Sequence, residues 1–212
     1  AYSMERTSRI CPKTPRMSDA ARSTVLDWHN TFRSSLARGL QEDGLGGYAP
    51  MAERMLKLHY DCGLERTAQE AVDTCVYKNT RGGRGENMFV TENEYSKKDQ
   101  VSLLQMAALQ WWSELKNDGV GFNNTFSPAM MIYRQNAYSQ MAWGTTFRVG
   151  CATRSCQFER GERYFVVCHY SPHGNLVKRP IYSRGTPCTD DVQCDRGQEC
   201  SVHEGLCVVT IE

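Results

Sequence analysis

The chain has 212 residues, and its formal net charge of +1 gives no electrostatic reason to expect a nucleic-acid partner or an anionic membrane surface. Hydrophobic residues make up 40% of the sequence, which is enough for one medium-sized domain with a buried core, with or without a small appendage. No apolar run approaches the roughly 18 residues that a membrane-spanning helix needs, so no membrane span is expected.

The predicted elements alternate between helices and short strands. Residues 1–17 are predicted to form an irregular arm held by Cys11, and Ser18 is a suitable N-cap for the helix that follows. Apolar residues at helical spacing predict three helices, over residues 18–38, 62–77 and 98–116. Clusters of β-branched and aromatic residues predict short strands over residues 86–91, 148–152 and 164–170. Residues 41–50 and 117–135 are predicted to be loops.

Ten cysteines, an even number, predict a disulfide framework and therefore an oxidising compartment. Metal-binding cysteines are the alternative, but no Cys-x-x-Cys spacing occurs anywhere in the sequence. A hairpin of the last two predicted strands would bring Cys156 and Cys168 together. The other pairs predicted before residue 188 are Cys11–Cys62 and Cys75–Cys151.

The last segment of the chain has a different composition. Within about 20 residues it holds four cysteines, Cys188, Cys194, Cys200 and Cys207. So short a segment buries no useful core, so two bridges among these cysteines are expected to hold it, each contributing about 2–4 kcal/mol. Four cysteines allow three pairings, and the sequence does not choose between them.

Five short motifs occur between about Ser18 and Asn175. They are His29-Asn30-x-x-Arg33, Gly85-Glu86-Asn87, Trp111-x-x-Glu114, Tyr138-Ser139-Gln140-Met141-Ala142-Trp143 and Cys168-x-Tyr170-x-Pro172-x-Gly174-Asn175. In order and spacing they resemble the CAP superfamily of cysteine-rich secretory, antigen 5 and pathogenesis-related 1 proteins. The likeness is greatest to the activation-associated and venom allergen-like secreted proteins of parasitic nematodes.

The resemblance implies an α+β fold, a three-layer α-β-α sandwich around a small, largely antiparallel sheet. It also implies a division of the chain into an N-terminal arm at 1–17, a CAP domain at 18–180 and a cysteine-rich, hinge-like tail at 181–212. Independently, Asn123-Asn124-Thr125 is a glycosylation sequon, which makes Asn123 a candidate acceptor and fits secretion.

The central cleft of the CAP superfamily is lined by two histidines and two glutamates and often binds a divalent cation. In this chain the resemblance implies Glu86 and Glu114 as the cleft acids, whereas Asn79 and Ala137 fill the histidine positions. A zinc site generally needs at least three protein ligands, mostly His or Cys, so no transition metal and no cofactor are expected. Two carboxylates would hold Ca²⁺ or Mg²⁺ only loosely. The preferred interpretation is that both acids hold a helix and a loop in place by hydrogen bonds, and one would titrate high if they shared a proton.

No catalytic residue is predicted. Ser139 lacks the neighbouring histidine of the family because Ala137 takes that place, and every cysteine is expected to be paired. His29 is expected to be packed and hydrogen-bonded on its helix. His169 and His173 lie on a strand and a turn and need not converge. The chain is therefore predicted not to be an enzyme.

CAP proteins are often reported to bind sterols or fatty acids, the sterols through an aromatic-rich, caveolin-like loop. The corresponding stretch is residues 120–133, whose sterol-binding candidates are Phe122, Phe126, Met130 and Tyr133. If exposed, such a cluster would form an apolar patch that binds a partner; the alternative is that these side chains cap the core. A fatty acid would need a separate apolar channel, expected between the first and third helices.

The leading hypothesis is therefore a secreted, extracellular, non-enzymatic protein that binds a sterol or fatty acid and acts as a parasite effector or immunomodulator. A second hypothesis is a secreted ligand for a host or self protein, with the loops at 41–50 and 117–135 and the tail as contact surfaces. A third, a divalent-metal-dependent enzyme, is disfavoured because Asn79 and Ala137 replace both histidines.

Overall fold

The computed structural model describes residues 8–80, 82–92, 97–132 and 136–211. Its helices are α1 (Asp19–Ala37), α2 (Cys62–Asp73), α3 (Gln100–Asn117), α4 (Pro128–Ile132) and α5 (Ala137–Ala142). Its strands are β1 (His59–Tyr60), β2 (Gly85–Glu92), β3 (Arg148–Phe158), β4 (Gly161–Ser171), β5 (Gln198–Ser201) and β6 (Leu206–Val209), with a 3-10 turn at Asp191–Gln193. None of the described helices is both long and apolar enough to cross a bilayer.

The first two helices begin at side-chain caps that the sequence contains. The hydroxyl of Ser18 accepts a hydrogen bond from the backbone N–H of Ala21 at 3.1 Å, and an Asp61 carboxylate oxygen accepts from Leu64 at 2.8 Å. Helix α2 ends about one turn earlier than predicted. Cys75 has a φ of 54°, a left-handed conformation that a right-handed helix cannot contain.

The main sheet has the strand order β1-β3-β4-β2. Strands β2 and β3 both pair with β4 in the antiparallel sense, and only the two-residue β1 pairs in parallel. Helices α1, α3 and α5 pack on one face and α2 on the other, so each face has its own apolar cluster. The three-layer α-β-α arrangement expected from the resemblance is confirmed.

The disulfides in the sheet correct the predicted pairing. Strands β3 and β4 are longer than predicted and turn between Phe158 and Gly161, which places Cys151 directly opposite Cys168. These two cysteines are bonded, with 4.1 Å between their Cα atoms.

Cys156 lies opposite Arg163 instead, on the face that α2 covers, and it is bonded to Cys75 just beyond that helix. The predicted pairs Cys75–Cys151 and Cys156–Cys168 are therefore wrong. The arm is joined to α2 by Cys11–Cys62, the pair that was predicted.

The tail is closed by the bonds Cys188–Cys200 and Cys194–Cys207. Its strands β5 and β6 form a separate two-stranded sheet, which is joined to the segment before β1 because the backbone of Cys207 exchanges hydrogen bonds of 2.8 Å with Met55 and Lys57. Ile181, Tyr182 and Leu206 are buried in the larger apolar cluster. The division of the chain at residue 180 stays a prediction.

A buried arginine connects α1 to the segment that leads into β3. The Arg33 guanidinium is fully buried and donates to the carbonyl oxygens of Leu56, Met141, Trp143, Gly144 and Thr146 at 2.6–3.4 Å. No ion pair among the described residues includes it. Burial lowers the pKa of Arg33 to about 9, so it is charged at neutral pH and the carbonyl dipoles stabilise that charge.

We expect Arg33→Met to lower the free energy of unfolding by more than about 3 kcal/mol, because several buried carbonyl groups would lose their donor. Arg66→Met is the matched control, since Arg66 lies exposed on α2. Urea denaturation of both variants would measure the difference. Equal losses in the two variants would show that the carbonyl cluster does not depend on Arg33.

Candidate functional site

A cleft of about 630 Å³ lies between the 77–79 segment, β2, α3 and the start of α5. All four positions that correspond to the metal-binding residues of the CAP superfamily line it: Asn79, Glu86, Glu114 and Ala137. The sequence therefore located the cleft correctly. The contacts of the two acids decide what the cleft can do.

Glu86 is almost fully surrounded by donors from the chain itself, and its side chain is only 4% exposed. One carboxylate oxygen accepts from the backbone N–H of Thr80 at 3.0 Å, and the other contacts the Thr80 hydroxyl and, at 2.8 Å, Nε2 of His169. Burial alone would raise the pKa of Glu86, but the hydrogen bonds from His169 and Thr80 outweigh it and hold the pKa below its usual value. Glu86 is therefore ionised at neutral pH.

The contact of His169 with Glu86 was not predicted from the sequence, which placed His169 only on a strand. His169 is fully buried, and it lies opposite Glu86 in the antiparallel register of β2 and β4. Its Nδ1 lies 2.7 Å from the Thr67 hydroxyl on α2. Residues opposite each other on antiparallel strands share one face of the sheet, so the contact follows from a register that the sequence did not specify.

Glu114, on the α3 wall of the cleft, caps the start of α5. One of its carboxylate oxygens accepts from the backbone N–H of Tyr138 at 2.8 Å, at the start of α5. Asn136, at the N-cap position of that helix, makes no side-chain capping bond, so Glu114 provides the cap from α3. Burial raises the pKa of Glu114 to about 7, although the N–H groups of Tyr138 and Ala137 favour its ionised form.

The residues of the cleft do not fit a transition metal. Ala137 has no donor atom, Asn79 has an amide, and both oxygens of Glu86 already accept hydrogen bonds from the chain. Among the described residues, only Cys188, Cys194 and Cys200 form a group of three potential metal ligands whose ligand atoms lie close together. Their sulfur atoms are all bonded in disulfides. A zinc site generally needs at least three protein ligands, and the cleft does not supply them.

The remaining polar candidates are packed rather than reactive. The Ser139 hydroxyl is buried and lies 2.6 Å from Oδ1 of Asn175 and 3.1 Å from the carbonyl of Asn136. His29 donates from Nδ1 to the carbonyl of Val25, and burial lowers its pKa to about 4, so it is neutral at physiological pH. His173 lies near its neighbour's carbonyl at the exposed turn after β4. None of the cysteines is free.

The predicted sterol loop divides into a buried and an exposed part. Phe126 is 0% exposed and Met130 is 7% exposed, so both belong to the core and are removed from the sterol-binding candidates. Phe122, by contrast, is 72% exposed and packs beneath the guanidinium of Arg184, 4.7 Å from the ring centroid. Tyr133 lies outside the described residues. Met131 and Ile132, two further apolar residues of the predicted stretch, are exposed.

Another depression, of about 360 Å³, lies between Phe32 of α1, the loop residues 40–48 and α3; we call it the helical groove. Whether it is the apolar channel expected between the first and third helices stays a prediction. Its apolar lining consists of Phe32, Leu40, Tyr48, Leu109, Trp112 and Leu115. At its rim, Nζ of Lys116 lies 2.7 Å from a carboxylate oxygen of Glu42.

Comparison with solved structures places the chain among secreted nematode proteins. The crystal structure of Na-ASP-1 superimposes with a TM-score of 0.86 at 42% identity, covering 95% of this chain and 50% of that one. The structure of BmVAL-1 gives a TM-score of 0.87 at 31% identity, covering 95% and 99%. The crystal structure of NaASP2 with Zn²⁺ gives 0.83 at 35% identity, covering 93% and 99%.

Among curated proteins, the Ancylostoma secreted protein of Ancylostoma caninum is 43% identical over 95% of this chain and 47% of its own length. This chain thus spans about half of that relative. Venom allergen 5.02 of Vespa crabro is 31% identical over 76% of this chain and 78% of its own length. The model of the CAP domain, described as the cysteine-rich secretory protein family, matches residues 26–170. With that match, the fold and these relatives, the chain belongs to the CAP, or cysteine-rich secretory protein, family, as a member of the nematode secreted and venom allergen-like type.

Proposed function

We propose that this protein is a secreted, non-enzymatic lipid-binding member of the CAP family, and that the helical groove binds the acyl chain of a fatty acid. Sterol and lipid binding is a known role in the family. The observation that carries the proposal is the concave apolar lining between α3, the 40–48 loop and Phe32 of α1, whose volume falls within the range of about 300–1,000 Å³ typical of ligand pockets.

The walls of the helical groove suit a long apolar chain. Phe32 and Trp112 stack face to face with 4.7 Å between ring centroids, and the indole N–H of Trp112 is satisfied by Gln41 at 2.8 Å. Leu40 and Leu109 are exposed at the groove although they are large and apolar. Covering them would add about 25 cal/mol per Å² of apolar surface buried.

One end of the groove provides a charge for the head of a fatty acid. Lys116 is mostly exposed and pairs with Glu42 across the rim. A fatty-acid carboxylate would compete with Glu42 for the Lys116 ammonium group. The helical groove thus combines an apolar surface with a cation at one end. That pattern favours an amphipathic anion over an uncharged hydrocarbon.

A sterol would bind at a different surface. Phe122, Met131 and Ile132 expose apolar side chains from the 120–132 stretch. A flat ring system would cover such a surface, and the flexible Met131 tolerates an imprecise fit. Of the predicted sterol-binding candidates, Phe122 is therefore kept. The buried Phe126 and Met130 are replaced by the exposed Met131 and Ile132.

Secretion and an effector role belong to the same proposal. Five disulfides join all ten cysteines, which fits an oxidising compartment. Asn123 is exposed, as a glycosylation acceptor must be. The relatives in parasitic nematodes and venoms support a role in which the protein acts on a host, as an immunomodulator or as a carrier of lipid.

A ligand for a host or self protein is the second candidate function. Val192 is 87% exposed and Val202 is also exposed, both in the tail held by disulfides. An apolar side chain fixed in this way is suited to contact a protein partner. Both functions are compatible, because the tail and the helical groove use different residues.

Catalysis is not part of the proposal. CAP proteins of this type are generally not enzymes. Here Ser139 is buried without an imidazole partner, and the acids of the cleft hold backbone groups in place. A nucleophile, a base and an orienting group do not converge in the described cleft.

Leu109→Glu is expected to weaken palmitate binding at least about tenfold, because it places a carboxylate on the acyl path and removes a leucine worth about 1.5–3 kcal/mol when buried. Isothermal titration calorimetry with palmitate would measure the change. The matched control is Val192→Glu, which introduces the same charge in the tail. Palmitate binding that is unchanged in Leu109→Glu would exclude the helical groove.

Cholesterol binding is expected to fall in the double variant Phe122→Ala with Ile132→Ala, since both side chains are exposed and their loss leaves the core intact. Phe126 is unsuitable for this test because it is a core residue. Saturation binding of radiolabelled cholesterol would be compared with palmitate binding in the same variant. If cholesterol binding survives, the sterol surface lies elsewhere on the molecule.

Glu114→Gln should change how stability depends on pH. The folded-state pKa of Glu114 is raised to about 7, so the wild-type protein loses stability as pH rises from 5.5 to 8, on the order of 1–3 kcal/mol from this group. Glutamine keeps the cap to Tyr138 without a titrating charge, so the variant should lose that slope. The contribution of Glu86 has the opposite sign and is lost at pH values below this window. Urea unfolding of the wild type and of Glu114→Gln at pH 5.5 and pH 8 would measure the free energy of unfolding. An equal change with pH in both proteins would contradict a raised pKa of Glu114.

A further inference from the structure

A recess of about 420 Å³ lies between the N-terminal arm, the start of α3 and the sheet; we call it the arm pocket. Strand β1 pairs with β3 only at Arg148 and Val149, so none of the described strands covers the outer edge of β3 beyond that point. The arm passes there, with the sulfur of Met17 lying 4.0 Å from the Thr153 hydroxyl. The lining includes three cations and three hydroxyl groups, from Arg16, Lys98, Arg154, Thr153, Ser155 and Tyr164.

The two arginines of the arm pocket are held in place by one acid. Arg16 binds the Asp73 carboxylate through both terminal nitrogens, at 2.8 and 2.9 Å, and Arg154 binds the same carboxylate at 2.8 Å. Asp73 itself does not line the pocket. Two guanidinium groups that share one carboxylate keep one positive charge between them, and their orientation is set before a ligand binds.

Lys98 adds a third cation from the residues that precede α3. It forms no ion pair with any described residue, and its ammonium group lies over the ring of Tyr164, 5.9 Å from the centroid. A second acid, Glu162, contacts the lining and accepts from the hydroxyls of Ser155 and Tyr164 at 2.7 and 2.9 Å. Three cations thus stand against two carboxylates, so the recess keeps an excess of positive charge that attracts anions.

We propose that the arm pocket binds a sulfate group of a sulfated glycan, a function separate from lipid binding at the helical groove. A sulfate would accept hydrogen bonds from the Lys98 ammonium group, from the guanidinium of Arg154 and from the Thr153 hydroxyl. Guanidinium groups match the geometry of oxyanions, and hydrogen bonds between charged groups are stronger than those between neutral ones.

The shape of the arm pocket favours a sulfated sugar over a lipid phosphate, which carries similar charge. The recess is much larger than one sulfate ion, so it also has room for the sugar ring that bears the sulfate. A phosphate in a flat membrane surface would reach only the rim of a concave site. Sulfated glycans occur outside cells, in the compartment that the five disulfides also fit.

Binding of a heparin octasaccharide to the intact chain, measured by isothermal titration calorimetry, tests the proposal. The variant is Lys98→Gln with Arg154→Gln, which leaves the pair of Arg16 with Asp73 in place. The matched control is Lys178→Gln with Arg179→Gln, which removes the same charge from exposed residues outside the pocket. A desulfated octasaccharide and vesicles of phosphatidylcholine with phosphatidylserine are titrated in parallel.

The pocket variant is expected to bind the octasaccharide at least about tenfold more weakly than the wild type, because it loses two charged donors. The control variant should bind as the wild type does, the desulfated octasaccharide should not bind, and added salt should weaken binding.

Three results would overturn the proposal: an equal loss in the control variant, equal binding of the desulfated octasaccharide, or binding of the vesicles without binding of the octasaccharide. If the pocket variant does not fold, Lys98→Glu decides alone. It leaves both arginine pairs with Asp73 intact, and octasaccharide binding that is unchanged in it would also overturn the proposal.

Discussion

The centre of this protein contains a buried cation, the guanidinium of Arg33, that forms no ion pair with any described residue. The guanidinium of Arg33 collects carbonyl groups from the segment before β1 and from the turn between α5 and β3. Those carbonyl groups sit where the chain is irregular and would otherwise be buried without donors. One side chain on α1 therefore decides the path of two segments more than 80 residues apart. The segment before β1 and the end of α5 are thereby joined to α1.

Residues of the family motifs form packing and hydrogen-bonding contacts between elements of the fold. His29, Tyr170 and Asn87 form a hydrogen-bonded chain through the core, with distances of 2.8 and 3.2 Å, and Asn87 continues it to the carbonyl of Ala137. A Cβ atom on Gly174 would lie 2.5 Å from the Trp143 ring, which explains glycine in the final motif. Each motif thus contacts another one, and their co-occurrence in a sequence indicates this packing without indicating a reaction.

The sequence predicted those features of the fold and the cleft that depend on local residue patterns. Helix α1 and its Ser18 cap, the existence of β2 and the place of Glu86 and Glu114 in one cleft all follow from spacing and from the family motifs. The exchanged disulfides and the unpredicted contact of His169 with Glu86 share a cause, because both depend on strand register. The disulfides depend on the register of β3 with β4, and the contact of His169 depends on the register of β2 with β4. The same limit applies to Phe126, because burial on a loop is decided by distant elements, here Trp143 at 6.3 Å between ring centroids.

The cleft and the helical groove are connected through one residue. Glu114 accepts from the backbone of Tyr138, and the ring of Tyr138 packs edge-on against Trp112, 4.9 Å between centroids. Trp112 and Glu114 lie two residues apart on α3, one facing the groove and the other the cleft. Tyr138 is also followed by Met141 and Trp143, whose carbonyl groups bind Arg33. Glu114 therefore helps to hold both the start of α5 and, through the ring of Tyr138, the Trp112 wall of the helical groove in place.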